Sequence, residues 1–272
     1  MKTSPTLRRW GPAILVAGCI AGLFVAERRA PLRRRVEPEA RRIACNLAMA
    51  AVTAVEVAIF ERPIIDKLAR DVERRSIGLV QALGLPRWAQ TTLAVVLLDY
   101  TLYHWHILLH RVPALWRFHL AHHIDLDLDA STALRFHFGE FFASIPWRAA
   151  QVALIGATPS ALALWRKLTV VEVVFHHANL RLHPGLEATL ARLVATPTLH
   201  GIHHSMVQAE RDSNFSSGLT LWDRLHGTFR SDVQQDAITI GVPPFGEPRQ
   251  VTLRRTLAVP FAGERRRKVS RS

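Results

Sequence analysis

Three long apolar runs alternate with strongly basic segments in the first part of the chain. The first run, Gly11 to Ala26, has 16 residues without a charge, slightly fewer than the roughly 17–25 residues of a spanning helix. The second run extends from Ile43 to Phe60 and the third from Trp88 to Trp105. Each of these two predicts a membrane helix, whereas the first fits either a span or a signal peptide. We interpret it as a retained helix.

Two weaker apolar runs follow, from Phe138 to Ile155 and from Ala161 to Phe175. The segment from Gly156 to Pro159 between them contains glycine and proline, which is typical of a turn joining two helices. Charged side chains interrupt both runs, so the pattern fits a re-entrant or tilted hairpin as well as two complete spans. The interrupting residues are Arg148, Arg166, Lys167 and Glu172.

The segment from Arg28 to Arg42 holds seven arginines in 15 residues. By the positive-inside rule it is predicted to lie in the cytoplasm, with the N-terminus outside. The third helix then returns to the cytoplasm near Trp105, and a closed hairpin leaves the chain there from His177 onward. Six Lys or Arg in the predicted loop from Glu61 to Arg87 oppose this orientation, because it places them outside.

Composition limits the possible chemistry. The chain has 272 residues, a formal charge of +13, 14 His and 2 Cys. Two cysteines in apolar runs, Cys19 and Cys45, exclude a disulfide framework and a cysteine-ligated zinc or iron–sulfur site. Arginines beside apolar helices are typical of contact with anionic lipid headgroups. The same interpretation covers the basic run Arg265–Lys268, so no nucleic-acid partner is predicted.

Histidines form three clusters with helical spacing. His106 and His110 are four residues apart, and each of the other two clusters has the pattern H-x-x-H-H. Side chains at i, i+3 and i+4 share one face of a helix, so each cluster projects its imidazoles in one direction. Imidazole suits iron, zinc, copper or nickel. The second and third clusters are His119, His122 and His123, and His200, His203 and His204.

Eight clustered histidines exceed what one ion can coordinate, and we therefore predict a site with two metal ions. Histidine bound to a metal usually donates its other ring N–H to a carboxylate or a carbonyl. Asp99 is a notable candidate acceptor, because a carboxylate in an apolar helix is costly and tends to be functional. The other candidates are Glu140, Asp212, Asn214 and Asp223.

Further motifs surround these clusters between about Leu85 and Phe229. They include Asp99-Tyr100, Leu115-Trp116-Arg117-Phe118-His119, Ala133-Leu134-Arg135-Phe136-His137, His177-Ala178-Asn179, Thr196-Pro197, Asp212-Ser213-Asn214-Phe215 and Leu221-Trp222-Asp223-Arg224-Leu225-His226-Gly227-Thr228-Phe229. With these motifs the sequence resembles the fatty acid hydroxylase/sterol desaturase superfamily of membrane-bound, non-haem di-iron oxygenases.

The resemblance implies a specific site. The ligands of two iron ions would be His106, His110, His119, His122, His123, His200, His203 and His204, with His177 in the His-Ala-Asn position and His137 in the Arg-x-His position as further candidates. Asp99, Asn214 and Asp223 are the predicted catalytic-site residues around them. The implied fold is an all-α membrane bundle with a cytoplasmic helical cap that holds the histidine-rich di-metal site.

The implied reaction is O2-dependent hydroxylation or desaturation at an alkyl C–H bond of a membrane lipid. The chain has no dinucleotide-binding fingerprint and too few cysteines for an iron–sulfur cluster. A separate electron donor is therefore predicted, namely a reductase, a ferredoxin or a cytochrome b5-like protein. The expected location is a bacterial inner membrane, with the active site facing the cytoplasm.

The predicted organisation has three parts: membrane anchor helices and basic loops over residues 1–84, a hydroxylase-like domain over residues 85–230, and a basic tail over residues 231–272. Two other functions remain open at this point. A zinc-dependent membrane hydrolase would also use histidine ligands with an open water site. A non-enzymatic haem or metal carrier would use paired histidines on facing helices.

Overall fold

The computed structural model describes the backbone of residues 5–262 and the side chains of residues 14–262. Within this part the chain is helical, and its β-structure is limited to isolated bridges. Thirteen α-helices occur: α1 Pro5–Arg29, α2 Glu39–Glu56, α3 Arg62–Arg75, α4 Leu79–Ala82, α5 Arg87–Arg111, α6 Pro113–His123, α7 Phe138–Ile155, α8 Pro159–His177, α9 Pro184–Leu190, α10 Pro197–His203, α11 Gln208–Arg211, α12 Leu221–His226 and α13 Leu253–Ala258.

Two helical segments in the described residues are long and apolar enough to cross a membrane. They are the 44-residue segment Glu39–Ala82 and the 25-residue helix α5. The apolar runs from Ile43 and from Trp88 lie within them, so both runs are helical as predicted and are candidate membrane spans. The predicted first span lies within α1.

The prediction of a loop from Glu61 to Arg87 is wrong, because most of this segment is helical. A π-helical turn at Val57–Glu61 joins α2 directly to α3. Ile65, Ala69 and Val72 are buried along one face of α3. Their spacing of four and three residues is that of an amphipathic helix, so the signal was present in the sequence. The polar face of α3 carries the basic residues that suggested a loop.

The main apolar core lies where α3, α5, α7 and α8 pack together. It includes Ile65, Leu98, Val152, Leu162 and Trp165. α7 ends at Gly156, whose φ of 83° is easily adopted only by glycine. Thr158 then caps α8 by accepting a hydrogen bond from the Ala161 amide. The predicted pair of helices joined by a turn after Ile155 is thereby confirmed.

A buried polar layer joins α2 to the connection between α6 and α7. The Arg42 guanidinium is 1% exposed and forms ion pairs with Asp125, at 3.0 Å, and with Asp129. Burial alone would raise the pKa of Asp125, but the charges of Arg42 and Arg135 outweigh it and the pKa lies below its ordinary value. Paired and hydrogen-bonded in this way, the carboxylate is charged at neutral pH and fixes the connection against α2.

Part of the predicted basic tail packs against the bundle. Arg117 Nε on α6 donates to the Pro260 carbonyl at 2.8 Å, and Arg135 Nη2 donates to Thr256 Oγ1 at 2.8 Å. The segment around α13 is thus held by two buried or half-buried arginines from the central part of the chain. The basic run from Arg265 to Lys268 lies outside the described residues.

Candidate metal centre

Four helices place the histidines at the centre of the protein. α5 carries His106 and His110 near its C-terminal end, and α6, α8 and α10 each end in a histidine-containing turn. α6 and α10 begin with proline at the first or second helical position, which favours a defined start for these short helices. The histidines therefore converge at the ends of rigid elements.

The structure gathers nine of the ten predicted ligands into two groups. In each group one ligand atom per residue lies within 4.8 Å of all the others. The first group is His106, His110, His119, His123 and His203, and the second is His122, His177, His200 and His204. Consecutive residues on a helix differ by about 100° in direction. The consecutive histidines at the ends of α6 and α10 therefore divide between the two groups.

Hydrogen bonds to carbonyls fix the tautomers in the second group. His122 Nδ1 donates to the Arg135 carbonyl at 3.2 Å, and His177 Nδ1 donates to the Val173 carbonyl at 2.7 Å. A carbonyl only accepts, so in the neutral rings both Nε2 atoms carry lone pairs. These two Nε2 atoms lie 3.0 Å apart. Two lone pairs at that distance repel each other unless a cation lies between them.

The first group has the same arrangement. His106 Nδ1 donates to the Phe215 carbonyl at 2.7 Å, and His119 Nδ1 donates to Glu140 Oε2 at 3.0 Å. Their Nε2 atoms lie 3.2 Å apart. The Nε2 atoms of His110 and His203 are buried without a hydrogen-bond partner among the described residues. Unpaired buried nitrogens are costly, and a metal ion would satisfy them.

The nitrogen separations fit metal binding. Nitrogens bound to one ion at about 2.1 Å lie roughly 3.0–3.4 Å apart in octahedral or tetrahedral geometry. The observed Nε2 separations are 3.0 to 3.2 Å within both groups. Burial first, and then the charges of neighbouring imidazoles, lowers the pKa of His203 and His204 well below the ordinary value. The rings are therefore neutral, which is the form that binds metal.

His137 is the predicted ligand that the structure does not bring to either group. It precedes α7, where its Nδ1 accepts from the Gly139 amide at 3.0 Å. Its Nε2 donates to the Leu257 carbonyl at 3.2 Å. Both ring nitrogens are thus used in capping α7 and in holding the end of α13. His176 is buried beside the second group, 4.0 Å from His200 between ring centroids, and its Nδ1 donates to the Ser217 carbonyl.

Of the five candidate acceptors, Glu140 hydrogen-bonds directly to a clustered histidine. Asp212 Oδ1 lies 3.9 Å from His110 Nδ1, which is beyond hydrogen-bond distance. Asp99 instead accepts from Trp222 Nε1 at 2.7 Å and from the Leu219 amide at 3.1 Å. It therefore ties α5 to the segment around α12 rather than to a clustered histidine.

Asn214 and Asp223 hold the loop that orients two histidines of the first group. Asn214 has a positive φ of 52° and donates to the Leu199 carbonyl at 2.9 Å. The carbonyls on either side of it, from Ser213 and Phe215, accept from His203 and His106. Asp223 accepts from the Phe215 amide at 2.8 Å. The two predicted site residues thus act on the histidines through the backbone.

Backbone carbonyls that orient histidines are the site groups that the sequence did not reveal. Side-chain spacing carries no information on which carbonyl an imidazole will reach.

Among the aromatic residues flanking the first two clusters, Trp116 lies against the first group, with its ring centroid 4.9 Å from that of His110. Tyr103 packs instead on Phe215 and hydrogen-bonds to Thr228.

Replacing Glu140 by glutamine is expected to weaken metal retention by about tenfold, the lower end of the effect usual for a group that orients a ligand. Glutamine still accepts from His119 Nδ1 but lacks the negative charge that strengthens the imidazole as a ligand. Metal content after dialysis against graded chelator measures the change. Glu73→Gln on the exposed face of α3 is the matched control. Equal retention in both variants would contradict this role of Glu140.

The comparisons with known proteins agree on one family. The family model "Fatty acid hydroxylase" matches residues 91–228. An ornithine lipid hydroxylase of Rhizobium tropici is 34% identical over 158 residues, covering 58% of this chain and 46% of that protein. Alkylglycerol monooxygenase of Xenopus tropicalis is 30% identical over 142 residues, covering 52% and 30%. Cholesterol 25-hydroxylase of Mus musculus is 30% identical over 147 residues, covering 51% and 46%.

The matched region spans less than half the length of each of these relatives. The family-model match over residues 91–228 contains all nine clustered histidines as well as Glu140, Asn214 and Asp223. No solved structure matches the chain. The similarity therefore coincides with the part of the fold that forms the two histidine groups.

Proposed function

The chain belongs to the fatty acid hydroxylase family, and from this membership and the two histidine groups we propose an O2-dependent, membrane-bound di-iron hydroxylase. Its substrate would be a lipid, and the bond attacked would be a C–H bond of an alkyl chain. The relatives are named for hydroxylation or monooxygenation of lipids. Hydroxylation is accordingly favoured over desaturation for this chain.

One observation carries the proposal, namely two adjacent groups of imidazoles whose Nε2 atoms face one another at 3.0 to 3.2 Å. Five histidines would hold one iron ion and four would hold the other. When bound, the two ions supply the binding of O2 and the oxidising power for an unactivated C–H bond. Glu140 and the carbonyls of Phe215, Arg135 and Val173 fix the imidazole rings and their Nδ1 protons.

The two alternative functions fit the arrangement less well. A catalytic zinc site needs three protein ligands and one open position, whereas here nine histidines form two groups. A haem lies between two axial histidines and keeps them apart, but the facing Nε2 atoms are only 3.0 to 3.2 Å apart. A site with two metal ions, each completed by a ligand from outside the protein, accounts for more of the clustered histidines than either alternative does.

Electrons would come from a separate donor such as a reductase, a ferredoxin or a cytochrome b5-like protein. Neither cysteine belongs to the histidine groups, since Cys19 lies on α1 and Cys45 on α2. The described residues thus supply no iron–sulfur cluster of their own. We also propose that residues 85–230 form the catalytic domain and residues 1–84 its membrane anchor.

The proposed orientation puts the histidine groups on the cytoplasmic side of a bacterial inner membrane. A reporter fused after Ser272 is accordingly expected to be active in the cytoplasm, because the arginine-rich segment from Arg28 to Arg42 favours that side. Paired fusions to a cytoplasmic and a periplasmic reporter provide the measurement. Activity of the periplasmic fusion alone would overturn the orientation and require a quinone or periplasmic electron donor.

Lipid profiling tests the reaction directly. The chain and its His123→Ala/His203→Ala variant are expressed in a bacterium supplied with ornithine lipids, alkylglycerols and sterols. We expect at least one lipid class to gain an oxygen atom with the unaltered chain and not with the variant. A product lighter by two hydrogens would identify a desaturase instead. Identical lipid profiles, with iron bound and a donor supplied, would contradict the proposed function.

A further inference from the structure

The arginine-rich segment after α1 is held in place beside the second histidine group. Arg33 donates its amide to Asn179 Oδ1 at 2.8 Å, and Asn179 Nδ2 donates to the Arg33 carbonyl at 2.9 Å. An isolated antiparallel bridge joins Pro31 to Leu180. Arg181 Nη2 adds a bond to the Leu32 carbonyl at 2.9 Å. The segment is therefore fixed in position and is not a loose, solvated loop.

The arginine-rich segment borders a cationic cavity of about 680 Å³. Five arginines line it, against two lining carboxylates, Glu27 and Asp236, and the neighbouring Glu39 forms ion pairs with Arg28 and, at 2.7 Å, with Arg35. Glu27 is fully buried, and its Oε2 accepts from the amides of Ala130 and Asn179. The lining arginines are Arg28, Arg33, Arg34, Arg35 and Arg181.

Several guanidinium nitrogens at this cavity have no acceptor. Nε and Nη1 of Arg33 and Nε and Nη2 of Arg35 are buried without a hydrogen-bond partner among the described residues. Arg33 Nη2 donates to the Pro197 carbonyl at 2.9 Å and lies over Gly201, where a Cβ would be only 1.6 Å from it. The Arg33 side chain is thus fixed in position, and its remaining donors suit an anion with several oxygens.

An apolar groove of about 550 Å³ adjoins the cationic cavity along α1. It is lined by Ala21, Gly22, Val25, Ala26, Arg29, Ala30 and Leu180. The lining residues of the two cavities are neighbours in the chain at two places, Ala30 with Pro31 and Leu180 with Arg181. An apolar groove that ends in a cluster of arginines matches a molecule with a hydrocarbon chain and an anionic headgroup.

We propose that the groove and the cavity together bind one anionic phospholipid. Its phosphate accepts from the arginines of the cavity, and one acyl chain lies along α1 beside Gly22 and Val25. Planar guanidinium groups bind phosphate oxygens in pairs, which favours phosphate over a zwitterionic headgroup whose ammonium would meet the same arginines. The site requires no metal and stands apart from the proposed reaction.

Binding of fluorescent, short-chain phosphatidylglycerol to the full-length protein in neutral detergent tests the site. Phosphatidylcholine with the same chains is the reference, and we expect phosphatidylglycerol to bind at least about tenfold more tightly. Arg34→Gln should weaken phosphatidylglycerol binding about fivefold, the contribution typical of one arginine at an anionic surface. Arg70→Gln, an exposed arginine on α3, is the matched control and should have no effect.

A second pair of variants tests the apolar groove. A Cβ added at Gly22 or at Gly18 meets no atom within 4 Å, so a side chain can begin at either position without a clash. Of the two, Gly22 lines the groove. Gly22→Leu should therefore weaken binding of both lipids, whereas Gly18→Leu should leave it unchanged.

Three results would overturn the proposal. They are equal affinity for the two lipids, equal effects of the Gly22 and Gly18 variants, and displacement of phosphatidylglycerol by inorganic phosphate at an equal concentration. The last result would identify an anion site that does not use the groove. None of these measurements depends on bound iron or on turnover, so failure here leaves the proposed hydroxylase untouched.

Discussion

Alanine in place of His203 or His123 is expected to reduce turnover to the background of membranes that lack the protein. Both residues belong to the first histidine group, and both are fully buried. Each substitution removes one proposed nitrogen ligand, so the remaining imidazoles would offer an ion an incomplete set of donors. The amount of protein in the membrane should not change, because the apolar segments Glu39–Ala82 and α5 are unaltered.

His183→Asn is a suitable control for these variants. His183 precedes α9, is exposed, and caps that helix by accepting from the Gly185 amide. Asparagine can replace it as a cap, so activity should stay close to that of the unaltered chain. Product formation is compared at equal protein and equal electron-donor concentration. Retained turnover in both alanine variants would show that the first group is not the reaction centre.

Arg42→Met is expected to destabilise the protein by about 3–5 kcal/mol, the usual effect of removing one partner of a buried ion pair. The variant removes the arginine that forms ion pairs with the buried carboxylates of Asp125 and Asp129. The connection between α6 and α7, to which these residues belong, also contains Arg135, whose carbonyl accepts from His122. In detergent solution the melting temperature should fall by about 10 °C, and the second histidine group should lose metal more readily.

The neighbouring residue provides the matched control. Arg41 is exposed on the same helix, so Arg41→Met removes an equal charge without opening a buried network. Its melting temperature should stay within about 2 °C of the unaltered protein, since exposed charges contribute little. Equal melting temperatures for the two variants would contradict the structural role of the Arg42 network.

The spacing of the histidines predicted eight of the nine residues that converge, whereas His177 was predicted only from the family resemblance. His119, His122 and His123 share one face of α6, and the sequence therefore predicted that they point together. The division of the histidines into two groups could not be predicted from their spacing, because it depends on how α5, α6, α8 and α10 cross. The angle between consecutive residues explains afterwards why His122 and His123 enter different groups.

Other features depended on contacts between distant segments. The carboxylate of Asp99 suggested a group beside the histidines, yet it bonds to Trp222, which is 123 positions further along the chain. His137 caps α7 rather than joining a histidine group, and its motif alone does not distinguish these roles. The basic side chains of α3 masked an amphipathic helix whose buried face is visible in the spacing of Ile65, Ala69 and Val72.

Metal analysis of the purified, full-length protein tests the di-iron proposal most directly. We predict about two iron ions per chain, an optical spectrum without a haem Soret band, and about one iron lost in the His203→Ala variant. Two ions are expected because the nine histidines form two separate groups of closely spaced imidazoles. Stoichiometric zinc and no iron in a protein that retains full activity would contradict the proposal.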